Sequence, residues 1–228
     1  MMTPSRPVLE ILYEDAHMVC VCKPAGVPIH RSNFVGIVDA IPLLQQVRDQ
    51  VGCHVFAVHR IDQPASGLVL FAKSSEMASK LGDLVQKRQF KKTYHAIVRG
   101  WFKEAEFSCD LPLKSTKDES LKPSQSYFKV LKAWEWPLPY RGFETVRYSM
   151  VEASPITGRW HQLRRHLSQL AHPIVGDTVH GDGFHNALWR KRFHEKRLYL
   201  ASIGIEFIHP ESQESLKINK PSEFVAYE

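Results

Sequence analysis

The densest polar segment of the chain is His59-Arg60-Ile61-Asp62-Gln63-Pro64-Ala65-Ser66-Gly67, entered from the apolar run Val55 to Val58 and left into Leu68 to Ala72. A loop strung between two buried strands holds Asp62 close to core. There a carboxylate stays ionised only if a cation or several N–H donors replace lost water, and Arg60 is the local cation. A carboxylate held in this way can act as nucleophile or general base. The same residues can also make a turn in which Asp62 accepts backbone N–H groups and Gly67 relieves strain, and spacing alone favours the turn. Metal chemistry has less support. The twelve histidines include no H-x-x-x-H pair on an expected helix, His161 and His166 lie five apart, and Cys20, Cys22, Cys53 and Cys109 contain no C-x-x-C. We expect no bound metal and four reduced, mostly buried thiols.

The elements that must position this loop follow from pattern. Val8 to Tyr13 and Met18 to Cys22 read as a hairpin around Glu14 to His17. Asp39 is placed to cap a helix with Pro42 in its first turn, Leu43, Leu44, Val47 and Val51 on one face, and Gly52 as its stop. Ser74 caps a second helix with Met77, Leu81, Leu84 and Val85 inward. Strands are expected over Tyr94 to Val98, Tyr127 to Leu131 and Val146 to Ala153, with an exposed loop from Lys114 to Gln125. After Pro155 to Gly158 a third helix turns Leu163, Leu167 and Leu170 inward, which sets Arg164 beside its apolar face. From Leu198 the apolar alternation slips at Ala201-Ser202, as a bulged strand would. The class is α+β.

With 228 residues, 43% of them hydrophobic, the chain can bury a core of its own. We expect one domain over 8–228 behind a flexible tail at 1–7. No apolar run approaches the ~20 residues that span a bilayer, and the polar N-terminus carries no export signal, so a cytoplasmic protein is expected. The net charge is +6, and it is unevenly spread. Lys87, Arg88, Lys91, Lys92, Arg99 and Lys103 form one acid-free stretch, Arg159, Arg164 and Arg165 a second, and Arg190, Lys191, Arg192, Lys196 and Arg197 a third. Phe90, Trp101, Trp160, Trp189 and Phe193 interleave with them, a combination that suits nucleic acid.

The loop at 59–67 resembles the H-R-L-D-x-x-T-S-G motif of the large-subunit-rRNA/tRNA (RluA-type) family of pseudouridine synthases, with Ile61 for Leu and Ala65 for Thr. Further matches follow in order. Lys92 to Gly100 resembles the family's K-x-Y-x-A-x-V-x-G strand, Thr157 to Arg164 its T-G-R-x-H-Q-L-R helix, and His172 to Asp177 its H-P-I-x-G-D turn. The likeness runs from about Leu9 to Pro210, with Leu200-Ala201-Ser202 standing where the family tends to read L-H-A. The resemblance implies a mainly antiparallel mixed sheet flanked by helices, and a cofactor-free conversion of uridine to pseudouridine in RNA. It makes Asp62 the catalytic carboxylate, attacking ribose C1′ or removing the C2′ proton. Arg164 would be its bidentate ion-pair partner, and Tyr94 would stack on the base and relay a proton. His59, Arg60, Arg159 and Leu200 are expected to meet the substrate, with Arg60 filling the space that the target base leaves.

Ile29-His30-Arg31-Ser32, Val98 to Trp101, Leu163 to Leu167 and His180-Gly181-Asp182 look like the branch that modifies uridine 65 of tRNA. The chain begins almost at once with catalytic-domain strands and shows no S4-type RNA-binding domain, which fits that branch. A monomer acting on tRNA is the expectation. The alternatives are the same reaction on ribosomal RNA, or an RNA-binding or chaperone protein in which catalysis is dispensable.

Overall fold

Alternation along two strands builds the centre of the molecule. The computed structural model describes residues 8–30, 41–224 and 227; the expected tail at 1–7, the Asp39 cap and Arg31-Ser32 lie outside them. Strand β1 (Ile11–Glu14) turns into β2 (Met18–Lys23) through Asp15, whose Oδ1 accepts the N–H groups of His17 and Met18 at 2.7 Å each. Helix α1 (Leu43–Val51) starts after Pro42 rather than holding Pro42 within its first turn. Pro42 is its N-cap, with a φ of −59° already suited to a helix, and Gly52 ends it in the left-handed conformation.

Strand β3 (Phe56–Ala57) is short, and β4 (Ser66–Ala72) is buried along its whole length. In β2 and β4, Val19, Val21, Val69 and Phe71 face one core, lined also by Leu43 and Val47 of α1. Met18, Cys20, Leu68 and Leu70 face the other, with Met77 and Leu81 of α2 (Ser75–Gln86). A strand covered on both faces reads as a continuous apolar run, which is why β4 was visible in the sequence. Ser74 caps α2 as expected, its Oγ accepting the N–H of Met77 at 3.1 Å.

Next come β5 (Lys91–Arg99), β6 (Glu106–Cys109), β7 (Leu113–Lys114), β8 (Leu121–Lys122), β9 (Ser126–Trp136) and β10 (Val146–Pro155). The expected loop at Lys114 to Gln125 is instead the small β7–β8 hairpin, anchored by buried Ser124. That hydroxyl donates to the carbonyl of Leu111 at 2.7 Å and meets His166 Nε2 at 3.1 Å. Helix α3 (Gln162–Gln169) buries Leu163, Arg164 and Leu167. Helix α4 (Gly183–Phe193) was not foreseen. Asp182 caps it by accepting the N–H groups of Phe184 and His185, a contact worth about 1 kcal/mol. Arg190, Lys191 and Arg192 sit in its last turn, where the helix dipole favours cations.

Strands β11 (Leu200–Ile208) and β12 (Ser215–Asn219) complete one ten-stranded sheet among the described residues, ordered β1-β2-β4-β11-β5-β10-β9-β6, with β12 on β11 and β3 on β4. All pairings are antiparallel except β4 with β11, so the fold is α+β with a mixed, mainly antiparallel sheet flanked by helices. The β11 bulge falls at Ile203, one residue beyond the expected slip, between the pairs Ser202–Tyr94 and Gly204–Thr93. At the parallel junction Gly67 lies against Ser202, with φ of 107°, and a Cβ there would stand 2.0 Å from the Ser202 carbonyl oxygen. No larger residue fits without parting the two strands.

Core packing accounts for two of the aromatics that interleave with the basic clusters. Trp189 packs with Ile97, Tyr148, Tyr199 and Phe224 under α4, and Phe90 stacks on Phe207 within the second core. Both are buried, and Trp101 and Trp160 are the ones left exposed. Cys20 and Cys109 are buried, Cys22 is half-buried and Cys53 is exposed, all four free. No described helix is long and apolar enough to cross a membrane.

Candidate active site

The loop that carries Asp62 is fastened at both ends. His59 Nε2 accepts the N–H of Leu70 at 3.1 Å, and burial pulls its imidazole down to about 3, so the ring is neutral and ties the loop to β4. On the far side Gln63 is clamped to the turn at 24–27. Its carbonyl accepts the N–H of Gly26 at 2.9 Å and its amide donates to the Gly26 carbonyl at 3.1 Å. Fully buried Lys23 donates to the carbonyls of Gln63, Pro24 and Val27, each at 2.9 Å. Burial lowers its ammonium to about 8, with the charge of Asp62 opposing that shift. Between the fastenings, the Asp62 carbonyl accepts the N–H of Ala65 at 3.0 Å. The backbone closes the turn without a Thr hydroxyl at 65.

The Asp62 carboxylate faces α3, and its ion pair is with Arg164, Nη1 to Oδ2 at 3.2 Å, rather than with Arg60. The turn at 62–65 directs the acid inward while Arg60 remains exposed. Arg164 does not grip Asp62 with two hydrogen bonds, as the resemblance implied. Its paired donors, Nε and Nη2, both go to Asp177, each at 2.7 Å. Asp177 also accepts the N–H groups of Val179 at 2.9 Å and His180 at 3.0 Å. Burial works against the charge of Asp177, but these bonds outweigh it and hold its carboxyl below the usual range. Arg164 is likewise raised against its own burial by Asp177 and Asp62. One guanidinium bridges two acids, bidentate to the buried one and with one N–H to the acid that meets the cleft.

His161 completes this wall. It opens α3 with a positive φ of 51°, places Nε2 4.0 Å from Asp62 Oδ2, and shares a 3.0 Å hydrogen bond with His180 through Nδ1. Burial lowers it to about 4; Asp62 opposes that shift, while Arg164 and His180 add to it. Across the cleft Tyr94, on β5, is 7% exposed. Burial, and next the charge of Asp62, push its hydroxyl pKa well up, so it carries its proton at neutral pH.

These groups surround one cleft of about 400 Å³. Asp62, Tyr94, Arg164, His59, Arg60, Arg159 and Leu200 all line it, so every site residue expected from the sequence reaches the same cavity. Arg159 spends its Nε on the Pro123 carbonyl at 3.1 Å. Lys92, Trp160 and His161 line the cleft as well, and burial lowers the ammonium of Lys92. Sequence reasoning gave no role to Lys23 or to Asp177 beyond its place in a motif. Carbonyl acceptors and a partner thirteen residues away leave no local pattern to read. Of the basic clusters, Arg99 is bonded to Asp182 at 2.7 Å and Arg197 to Glu223 at 2.5 Å, so part of that charge serves the fold.

The profile of the RNA pseudouridylate synthase family matches residues 17–169. A protein of Vibrio cholerae serotype O1 named tRNA pseudouridine synthase C is 43% identical over 221 residues, covering 92% of this chain and 90% of that protein. A Yersinia pestis protein of the same name is 41% identical over 220 residues, covering 92% and 85%. Human RNA pseudouridylate synthase domain containing 1 shares the fold, with a TM-score of 0.77 at 23% identity over 99% of this chain and 89% of that one. The chain belongs to the RNA pseudouridylate synthase family.

Proposed function

We propose that this protein converts uridine to pseudouridine in tRNA, at uridine 65, as a cytoplasmic monomer with no metal or cofactor. The observation that carries the reading is the cleft in which Asp62, bonded to Arg164, stands with Tyr94. Its supports are the relatives named for tRNA and the four ordered motifs. The reaction breaks the bond from ribose C1′ to uracil N1, turns the base and joins C5 to C1′, with no net redox change and no water consumed. Its demands are therefore a charged carboxylate, a base-binding slot and a proton carrier.

Asp62 supplies the carboxylate. Attack at C1′ and removal of the C2′ proton both begin from its ionised form, which one N–H of Arg164 steadies while a good part of the acid stays open to the cleft. Tyr94 covers the base and, keeping its proton at rest, serves in the relay that moves a proton from C5, once the new bond has formed, to the N1 freed when the old one broke. A uridine within a helix must leave its stack to reach this depth, and exposed Arg60 is positioned to enter the gap. The test is tritium release from tRNA labelled at uridine C5, in EDTA, followed by mapping of the product. Release that needs Asp62 and maps to position 65 supports the proposal. Release only from ribosomal RNA moves the substrate, and tight binding without release from either RNA leaves an RNA-binding protein.

A further inference from the structure

Trp160 lines the cleft and has no part in the chemistry above. It is 48% exposed, and its ring lies flat on His161, centroids 3.6 Å apart and planes at 18°, with His180 edge-on at 5.9 Å. One face of the indole is covered and the other is open. The turn that presents it is stiff. Buried Gln162 accepts the Thr157 hydroxyl at 2.7 Å and the Arg159 N–H at 3.0 Å, and donates to the Gln125 carbonyl and to Ser126 Oγ at 2.9 Å each. An indole fixed in place with a bare face, on a cleft whose lining also carries Arg159 and Lys92, has the make-up of a base-stacking platform.

Depth says which base it meets. Tyr94, at 7% exposure, belongs to the floor of the cleft with Asp62, whereas Trp160 stands at the rim. A uridine delivered to Asp62 passes the indole, and the bases that remain outside come level with it. Resting on the proposed RNA substrate, we infer that the open face of Trp160 stacks on a nucleobase flanking the target uridine. When the target leaves its helix, its neighbour loses a stacking partner, and the third ring in a His161–Trp160–base stack replaces it. Every base has a π-face, so the platform holds the RNA in register without reading sequence, and its effect falls on binding rather than on bond breaking.

The test uses the full chain and unmodified tRNA, with wild-type tritium release as the separate check on the substrate itself. Trp160→Ala should raise KM about ten-fold or more, the range expected for one lost base–aromatic stack, and leave kcat nearly unchanged. Trp160→Phe, which keeps a ring, should recover most of that loss. On titration with tRNA, the tryptophan quench of the wild type should vanish in Trp160→Phe and persist in Trp101→Phe, whose indole follows the far end of β5. An abasic site at one flanking nucleotide should weaken the wild type but not add to Trp160→Ala. Three results would overturn the inference: a quench that survives in Trp160→Phe, a Trp160→Ala chain that binds tRNA as tightly as wild type, or a loss confined to kcat. These binding readouts stand whether or not the wild type turns the tRNA over, so a wrong substrate and a wrong platform are told apart.

Discussion

The two acids that share Arg164 occupy opposite environments. The side chain of Asp177 has no exposure, two hydrogen bonds from the guanidinium and two from backbone N–H groups, so its acceptor sites are spoken for. Asp62 is 23% exposed, takes one longer bond from the same guanidinium and has His161 beyond it. A carboxylate saturated with donors is a poor nucleophile or base, while one with a single firm donor keeps lone pairs to use. The difference separates structure from chemistry within one side-chain network. Arg164, buried at 3% exposure, is held in place by Asp177 so that it meets Asp62 at a fixed distance.

Substitutions can break that comparison at either end. Asp62→Ala should lower turnover by more than about 10³-fold, since it removes the reacting group, and leave the melting temperature nearly unchanged because Asp177 still neutralises Arg164. Rates on labelled tRNA and a thermal melt check both halves. Asp177→Asn should do the reverse first. Leaving a buried guanidinium with its main partner uncharged costs about 3 to 5 kcal/mol, on the order of 10 °C in a chain of this size. Calorimetry reads the loss, and turnover measured well below the new melting point should persist at a reduced level. Arg164→Lys tests the bridge itself. A point ammonium cannot bond Asp177 bidentately and also reach Asp62, so kcat should fall about 10- to 100-fold, the range for a misplaced reacting group.

A smaller effect sharpens the picture of a dry, donor-rich wall. Burial lowers His59, His95, His161, His166, His172, His180 and His185. Each takes up a proton more readily unfolded than folded, so the unfolded chain binds more protons over that window and stability falls as pH falls. The decline should begin near pH 6.5, the ordinary histidine value, and continue for His161 to about 4 and for His59 to about 3. Melting temperatures taken from pH 7.5 to 5 should drop steadily. A flat profile would mean that these rings are solvated.

The parts of this network that the sequence made legible are those with local signals. The loop at 59–67 stood out because a polar run between two apolar ones must be a held loop, whereas the close approach of Gly67 to Ser202 of β11 is a non-local contact that leaves no signal in the run itself. Helix α3 was visible because Leu163 and Leu167 repeat at helical spacing around Arg164. Helix α4 was not, because Phe184, Leu188, Trp189 and Phe193 are broken up by the polar His185 and Asn186 and by the run Arg190 to Arg192, which blurs the apolar stripe. Lys23 and Asp177 stayed hidden for another reason. What defines them is a set of partners brought together by the fold, and spacing alone offered Asp62 only Arg60 as a local cation, whereas its partner Arg164, 102 residues away, was legible only through the resemblance.

The measurement that bears most directly on the division between the two acids is single-turnover tritium release from C5-labelled tRNA by Asp62→Asn and Asp177→Asn, each at a temperature where calorimetry finds it fully folded. Release should be abolished in Asp62→Asn at an unchanged melting temperature, and should remain measurable in Asp177→Asn despite its lowered one. Release from Asp62→Asn at the wild-type rate, or a dead Asp177→Asn that melts like wild type, would contradict the assignment of the chemistry to Asp62.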